Sequence, residues 1–160
     1  FAAVEETIVR GPAYSFSGIG NVSRLFASRY PAVSHEIHKM LGFIRFHPGP
    51  DGALIARPKL FHNTADLILR QFAPRYPGTR LIFLLPDRAL ALSQGALSTV
   101  SAGDYASFVD EDPFTAAWEK YYRSQYIETR KNMTLAQRCV PKKYWDWLAE
   151  GGILAAEAQK

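Results

Sequence analysis

His38 and His62 are the side chains in this sequence best suited to moving a proton. They flank residues 43–57, a stretch that alternates and turns like a β-hairpin. A hairpin brings its ends together, so one imidazole there would be placed to orient a phosphate or to act as a general acid or base, with Asp87 and Arg45 completing a polar cluster. The plainer reading of each ring is a histidine satisfied by a loop carbonyl. His35 and His38 form an HxxH pair, about 60° apart around a helix. His35 points away from the apolar stripe and His38 lies at its edge, and no cysteine or carboxylate pattern accompanies them, so no metal site is expected. Cys139 is the only cysteine, which excludes an intrachain disulfide and a cysteine-based zinc cluster. It is expected to be a small buried thiol. No GxSxG, P-loop or GxGxxG occurs, and no cofactor is expected.

A second chemistry lies in RCVPKKYWDWLAEG, Arg138 to Gly151. Residues 121–145 carry Arg123, Arg130, Lys131, Arg138, Lys142 and Lys143 against Glu128 alone, in a chain of net charge +4. A local basic segment points to a polyanionic partner, although charge runs are usually solvated faces. Arg130, Lys131, Lys142 and Lys143 are the candidate phosphate contacts. Tyr144 or Trp145 would stack on an exposed base or brace the lysines from below, and Arg45 would be a further contact. Tyr144, Trp147 and Leu148 recur at i, i+3 and i+4 and are expected to face the core. Trp145 shares a side with Lys142, which sets a cation beside an aromatic ring.

The elements that must hold these groups can be read from periodicity. GPAYSFSGIGN reads as loop. A helix is expected from Asn21, interrupted at Pro31 and stopped by Gly42, with Val33, Ile37, Met40 and Leu41 as its stripe. Residues 43–47 and 53–57 form a first hairpin around PGPDG. Asn63 is the expected cap of a helix whose stripe is Ala65, Ile68, Leu69 and Phe72. RLIFLL, RALALS and ALSTV are three strands, the last two joined at Gln94-Gly95. Asp112-Pro113 starts a helix with Trp118, Tyr121, Tyr122 and Tyr126 on one core-facing stripe. A polar connector and a short helix after Pro141 follow. This order gives an α+β fold: an antiparallel sheet of about five short strands with helices packed on one face.

The chain has 160 residues, of which 48% are hydrophobic and 21% charged, as in an ordinary globular domain. Residues 1–20 are expected as an N-terminal extension, 21–151 as one domain and 152–160 as a frayed tail. No signal-peptide pattern and no membrane-length apolar run is present. A reducing, cytoplasmic setting is the simplest reading.

HEIHKMLGFIRF, ARPKLFHNTADLILRQFAPRYP, FLLPDRALAL and WEKYYRSQYIETRKNMTLAQRCVPKKYWDWLAEG together resemble the signature blocks of a bacterial family described as probable DNA metabolism proteins. The likeness covers roughly residues 21–151, and the last block is the most specific. Val140 stands where that family more often has Met. The same domain of unknown function occurs fused ahead of uracil-DNA-glycosylase-like domains, and its stand-alone members are encoded beside a putative DNA-repair radical SAM protein. The resemblance therefore implies DNA repair or modification as the context, and no particular reaction. Three functions follow as expectations. The first is a nucleic-acid-binding accessory domain, with DNA as its partner and the chemistry supplied by a radical SAM or glycosylase-like protein. The second is an enzyme acting on a nucleotide or damaged base, with His38, His62 and Asp87 as its catalytic groups. The third is a protein-interaction module anchored by Trp145 and Trp147.

Overall fold

The computed structural model describes residues 2–110, 115–125 and 132–159. The chain forms two compact units, Phe1–Ile44 with Leu60–Pro77, and Arg45–Lys59 with Gly78–Lys160.

The first unit is helical. Helices α1 (Ala2–Arg10) and α2 (Pro12–Phe16) precede the long α3 (Asn21–Phe43) and pack against each other and against α3. Gly and Ser richness predicts loop over residues 11–21. Gly11, with φ 84, instead ends one helix and Pro12 opens the next, a separation that glycine's free φ and proline's fixed φ both favour. The serines serve the turn. The Ser23 hydroxyl donates to the Tyr14 carbonyl at 2.7 Å and accepts from the Gly18 N–H at 2.9 Å. Pro31 does not interrupt α3. A proline deletes one backbone bond, but packing of an amphipathic face contributes more to a helix than local propensity does. Here Phe26 and Tyr30, just before the proline, both meet Phe16 edge to face, and Met40 beyond it is fully buried.

Helix α4 (Ala65–Phe72) packs on α3. Its predicted stripe is its buried face, with Ala65, Ile68, Leu69 and Phe72 at most 2% exposed. The N-cap is Thr64 rather than Asn63, and its hydroxyl makes no capping bond.

The second unit carries a five-stranded sheet in the order β1-β2-β3-β4-β5. The strands are β1 (His47–Pro48), β2 (Leu54–Ala56), β3 (Leu81–Leu84), β4 (Ala89–Ser93) and β5 (Ala96–Val100). The fold is thus α+β, with a mixed and mostly antiparallel sheet. β1 opposes β2 as the first hairpin, and β3, β4 and β5 are successive antiparallel neighbours. β2 and β3 run parallel, Leu54 opposite Leu81 and Ala56 opposite Phe83. This pair is the parallel exception to the expected antiparallel sheet. Parallel neighbours require a long crossover, and the α4-bearing segment between β2 and β3 provides its length. The β4–β5 turn falls at Gln94-Gly95, both at positive φ, as a tight hairpin requires.

Ala53, Ile55, Ile82, Leu84, Ala89 and Ala91 form the sheet's core cluster, with Val100, Tyr105 and Val109 packed against it. Short helices follow: α5 (Ser107–Asp110), α6 (Thr115–Ser124) and α7 (Met133–Cys139). A 3-10 turn then spans Lys142–Tyr144, and α8 covers Gly151–Glu157. Three expectations change here. Tyr121 on α6 is 55% exposed, so the aromatic stripe is not wholly core. Cys139 is exposed rather than buried. The expected frayed tail holds a helix, because Leu154 is anchored in the core at 1% exposure. Tyr126 and Asp112-Pro113 lie outside the described residues.

Candidate functional site

The basic segment ends in a turn braced from within its own unit. Pro141 precedes the 3-10 turn, and its carbonyl accepts the Tyr144 N–H at 3.0 Å. Tyr144 and Leu148 are buried and pin the turn as the i, i+4 spacing predicts. Lys142 and Lys143 between them are exposed. Their ammonium groups lie 5.9 Å from the Trp145 ring centroid and 5.0 Å from that of Tyr144, within cation–π range. Trp145 is half-buried and donates its indole N–H to the Val140 carbonyl at 2.8 Å. Of the two rings proposed to stack or to brace, Tyr144 can only brace, since a ring 1% exposed has no face to offer a base.

Two bonds tie the turn to the end of β2. The Trp147 indole donates to the Arg57 carbonyl at 2.8 Å, and Lys59 pairs with Asp146 at 2.5 Å. The hydrogen bond and charge of Lys59 hold the Asp146 carboxyl below its usual range. The one acid within YWDWL is therefore already matched by a cation.

Arg45 joins the same network. Its guanidinium lies 4.9 Å from the Trp118 ring centroid, and the Trp118 indole donates to the buried Glu150 at 3.1 Å. Next to Glu150, Gly151 touches the turn so closely that a Cβ there would sit 1.8 Å from the Trp145 carbonyl oxygen. Arg45 and the Lys142–Trp145 turn are thus connected through Trp118, Glu150 and Gly151. Arg130 and Lys131 lie outside the described residues.

The histidine cluster resolves differently from its prediction. His38 is exposed on α3. The partner of His62 is Glu36, two residues earlier on that helix: His62 Nδ1 lies 3.1 Å from Glu36 Oε2. Glu36 is 3% exposed. Its carboxylate also accepts the Phe61 N–H at 2.7 Å, the His62 N–H at 3.0 Å and the Thr64 hydroxyl at 3.1 Å. That last bond takes the hydroxyl that would otherwise cap α4. Reading the histidines alone misses Glu36. The available signal was its place in the stripe, between Val33 and Met40 at i+3 and i−4, where a carboxylate needs several donors. Asp87 sits in the second unit at the β3–β4 turn, exposed, with Arg88 at 3.8 Å. Among the described residues no group of three or more His, Cys, Asp or Glu side chains could hold a metal ion. No helix among them is long and apolar enough to cross a membrane.

Fold and site together define an α+β protein with two features of chemical interest: a braced cationic turn and a buried carboxylate bound to an imidazole. Residues 19–150 match the family described as a domain of unknown function, DUF4130, and the chain belongs to that family. No curated protein and no solved structure matches it.

Proposed function

We propose that this chain is a nucleic-acid-binding accessory protein in DNA repair or modification. Lys142, Lys143 and Arg45 contact phosphates in this reading, and Arg130 and Lys131 extend the same basic segment. The observation that carries it is the bracing. Long lysines cost entropy when ordered, and here each emerges from a turn fixed by buried Tyr144, Leu148 and the close Gly151 approach. The neighbouring acid is neutralised by Lys59. Trp145 supplies a half-buried aromatic edge beside Lys142, suited to an unstacked base. The reaction itself would come from a partner enzyme, of the radical SAM or uracil-DNA-glycosylase-like kind that the family resemblance implies, in the cytoplasm.

The test is binding of a fluorescein-labelled single-stranded oligonucleotide, followed by anisotropy, with circular dichroism to confirm folding. Lys142→Glu combined with Lys143→Glu is expected to weaken binding by about tenfold or more, because two attractive phosphate interactions become repulsive. Unchanged affinity in a folded double variant would contradict the reading. Loss of partner-protein capture on Trp147→Ala, with DNA affinity intact, would favour a protein-interaction module instead.

A further inference from the structure

We propose that Glu36 and His62 form a proton-transfer pair, with His62 Nε2 as the proton acceptor and Glu36 as its positioning residue. This proposal does not depend on DNA binding by the second unit. An ionised carboxylate offers only acceptors. His62 Nδ1, at 3.1 Å from Glu36 Oε2, is therefore the protonated nitrogen, and in the neutral ring the lone pair is on Nε2. The carboxylate does not depend on the ring to be satisfied, since two backbone N–H groups and the Thr64 hydroxyl already bond to it. Those three donors suffice to fasten residues 61–64 to α3. The imidazole adds a fourth bond while 36% of its side chain stays exposed. A loop clamp alone gives no reason for an oriented ring at the surface.

The chemistry that fits is proton abstraction from a hydroxyl, either of a ligand or of an attacking water. The O–H bond breaks, its electron pair stays on oxygen, and the new N–H bond forms at Nε2. The resulting imidazolium is held against the Glu36 carboxylate, the same division of labour by which a carboxylate orients a catalytic imidazole elsewhere.

Diethyl pyrocarbonate, which acylates the free imidazole lone pair, is the probe. Peptide mass spectrometry then gives a separate rate for each histidine in the intact folded chain. Access alone would rank the exposed His35 and His38 first. The proposal expects His62 to react fastest despite its lower exposure, and about tenfold more slowly in Glu36→Gln, the size of loss typical when an orienting partner is removed. Long-range ¹⁵N–¹H correlation spectra of the wild type should show the Nδ1–H tautomer at His62. Wild-type reactivity no greater than that of His35 and His38 would overturn the proposal, as would an Nε2–H tautomer. Both readouts use the wild type, so they decide the matter even if Glu36→Gln fails to fold.

Discussion

Gly151 shows how much of the candidate site rests on a missing methyl group. A Cβ at this position would lie 1.8 Å from the Trp145 carbonyl oxygen and 2.5 Å from its carbonyl carbon. Both are backbone atoms, so no rotamer change relieves the clash. Gly151→Ala is expected to destabilise the protein by about 1–3 kcal/mol, the usual cost of overpacking a closed site. It should also displace Trp145 and change the tryptophan emission spectrum. Urea denaturation monitored by that emission checks both effects, and wild-type stability would show that the turn yields easily. Asp146 gives a second prediction at this scale. Lys59 lowers its folded-state pKa, so the bridge contributes in full above the unfolded carboxylate pKa. Its contribution falls away only as pH drops through the lowered folded value. The stability gap between wild type and Asp146→Asn is therefore expected to be constant near neutrality and to close in strong acid. It should also shrink with added salt, since the pair is at the surface. Denaturation midpoints across pH measure this directly. A gap that widened on acidification would have the wrong sign. The charged and aromatic residues of the turn were legible in the sequence, because types and spacing alone set Lys142 beside Trp145. Glu36 was legible only as a carboxylate set in an apolar stripe, because its role depends on donors that arrive from residues 61–64.

At the scale of elements, what was legible followed from strong periodicity. The α4 stripe and the β3, β4 and β5 segments appear where apolar spacing and the Gln94-Gly95 turn put them. Local composition failed where tertiary packing outweighed it. Part of the Gly- and Ser-rich stretch became helix α2, with Ser23 bonding the connection that follows it, and α3 runs through Pro31, with Phe26 and Tyr30 packed before it and Met40 buried beyond it. The parallel β2–β3 pair was hidden for a different reason: strand direction depends on the crossover and leaves no mark on alternation. Within the second unit, the Trp118–Glu150 bond links α6 to the residue preceding α8. Trp118→Phe keeps an aromatic ring beneath Arg45 and removes the indole donor, leaving Glu150, 8% exposed, without that bond. The expected loss is about 1–3 kcal/mol, the cost of an unsatisfied buried acceptor, measured as a shift in denaturation midpoint. An unaltered midpoint would mean that Glu150 finds other donors.

For the molecule as a whole, the order of predicted elements set the right fold class, α+β, for a chain of net charge +4. It left the balance between the two candidate chemistries open. Each now has its own set of residues, the Glu36–His62 pair in the first unit and the Lys142–Trp145 turn with Arg45 in the second. The central claim is that the second set binds a polyanion, and counterion release tests it most directly. Affinity for a single-stranded oligonucleotide should be measured across a salt series for the wild type and for the Lys142→Glu, Lys143→Glu variant. The account predicts that wild-type binding falls steeply and linearly on logarithmic axes, with the variant's slope shallower by about 0.7 for each phosphate no longer neutralised. A wild-type affinity indifferent to salt, or identical slopes for the two proteins, would contradict it.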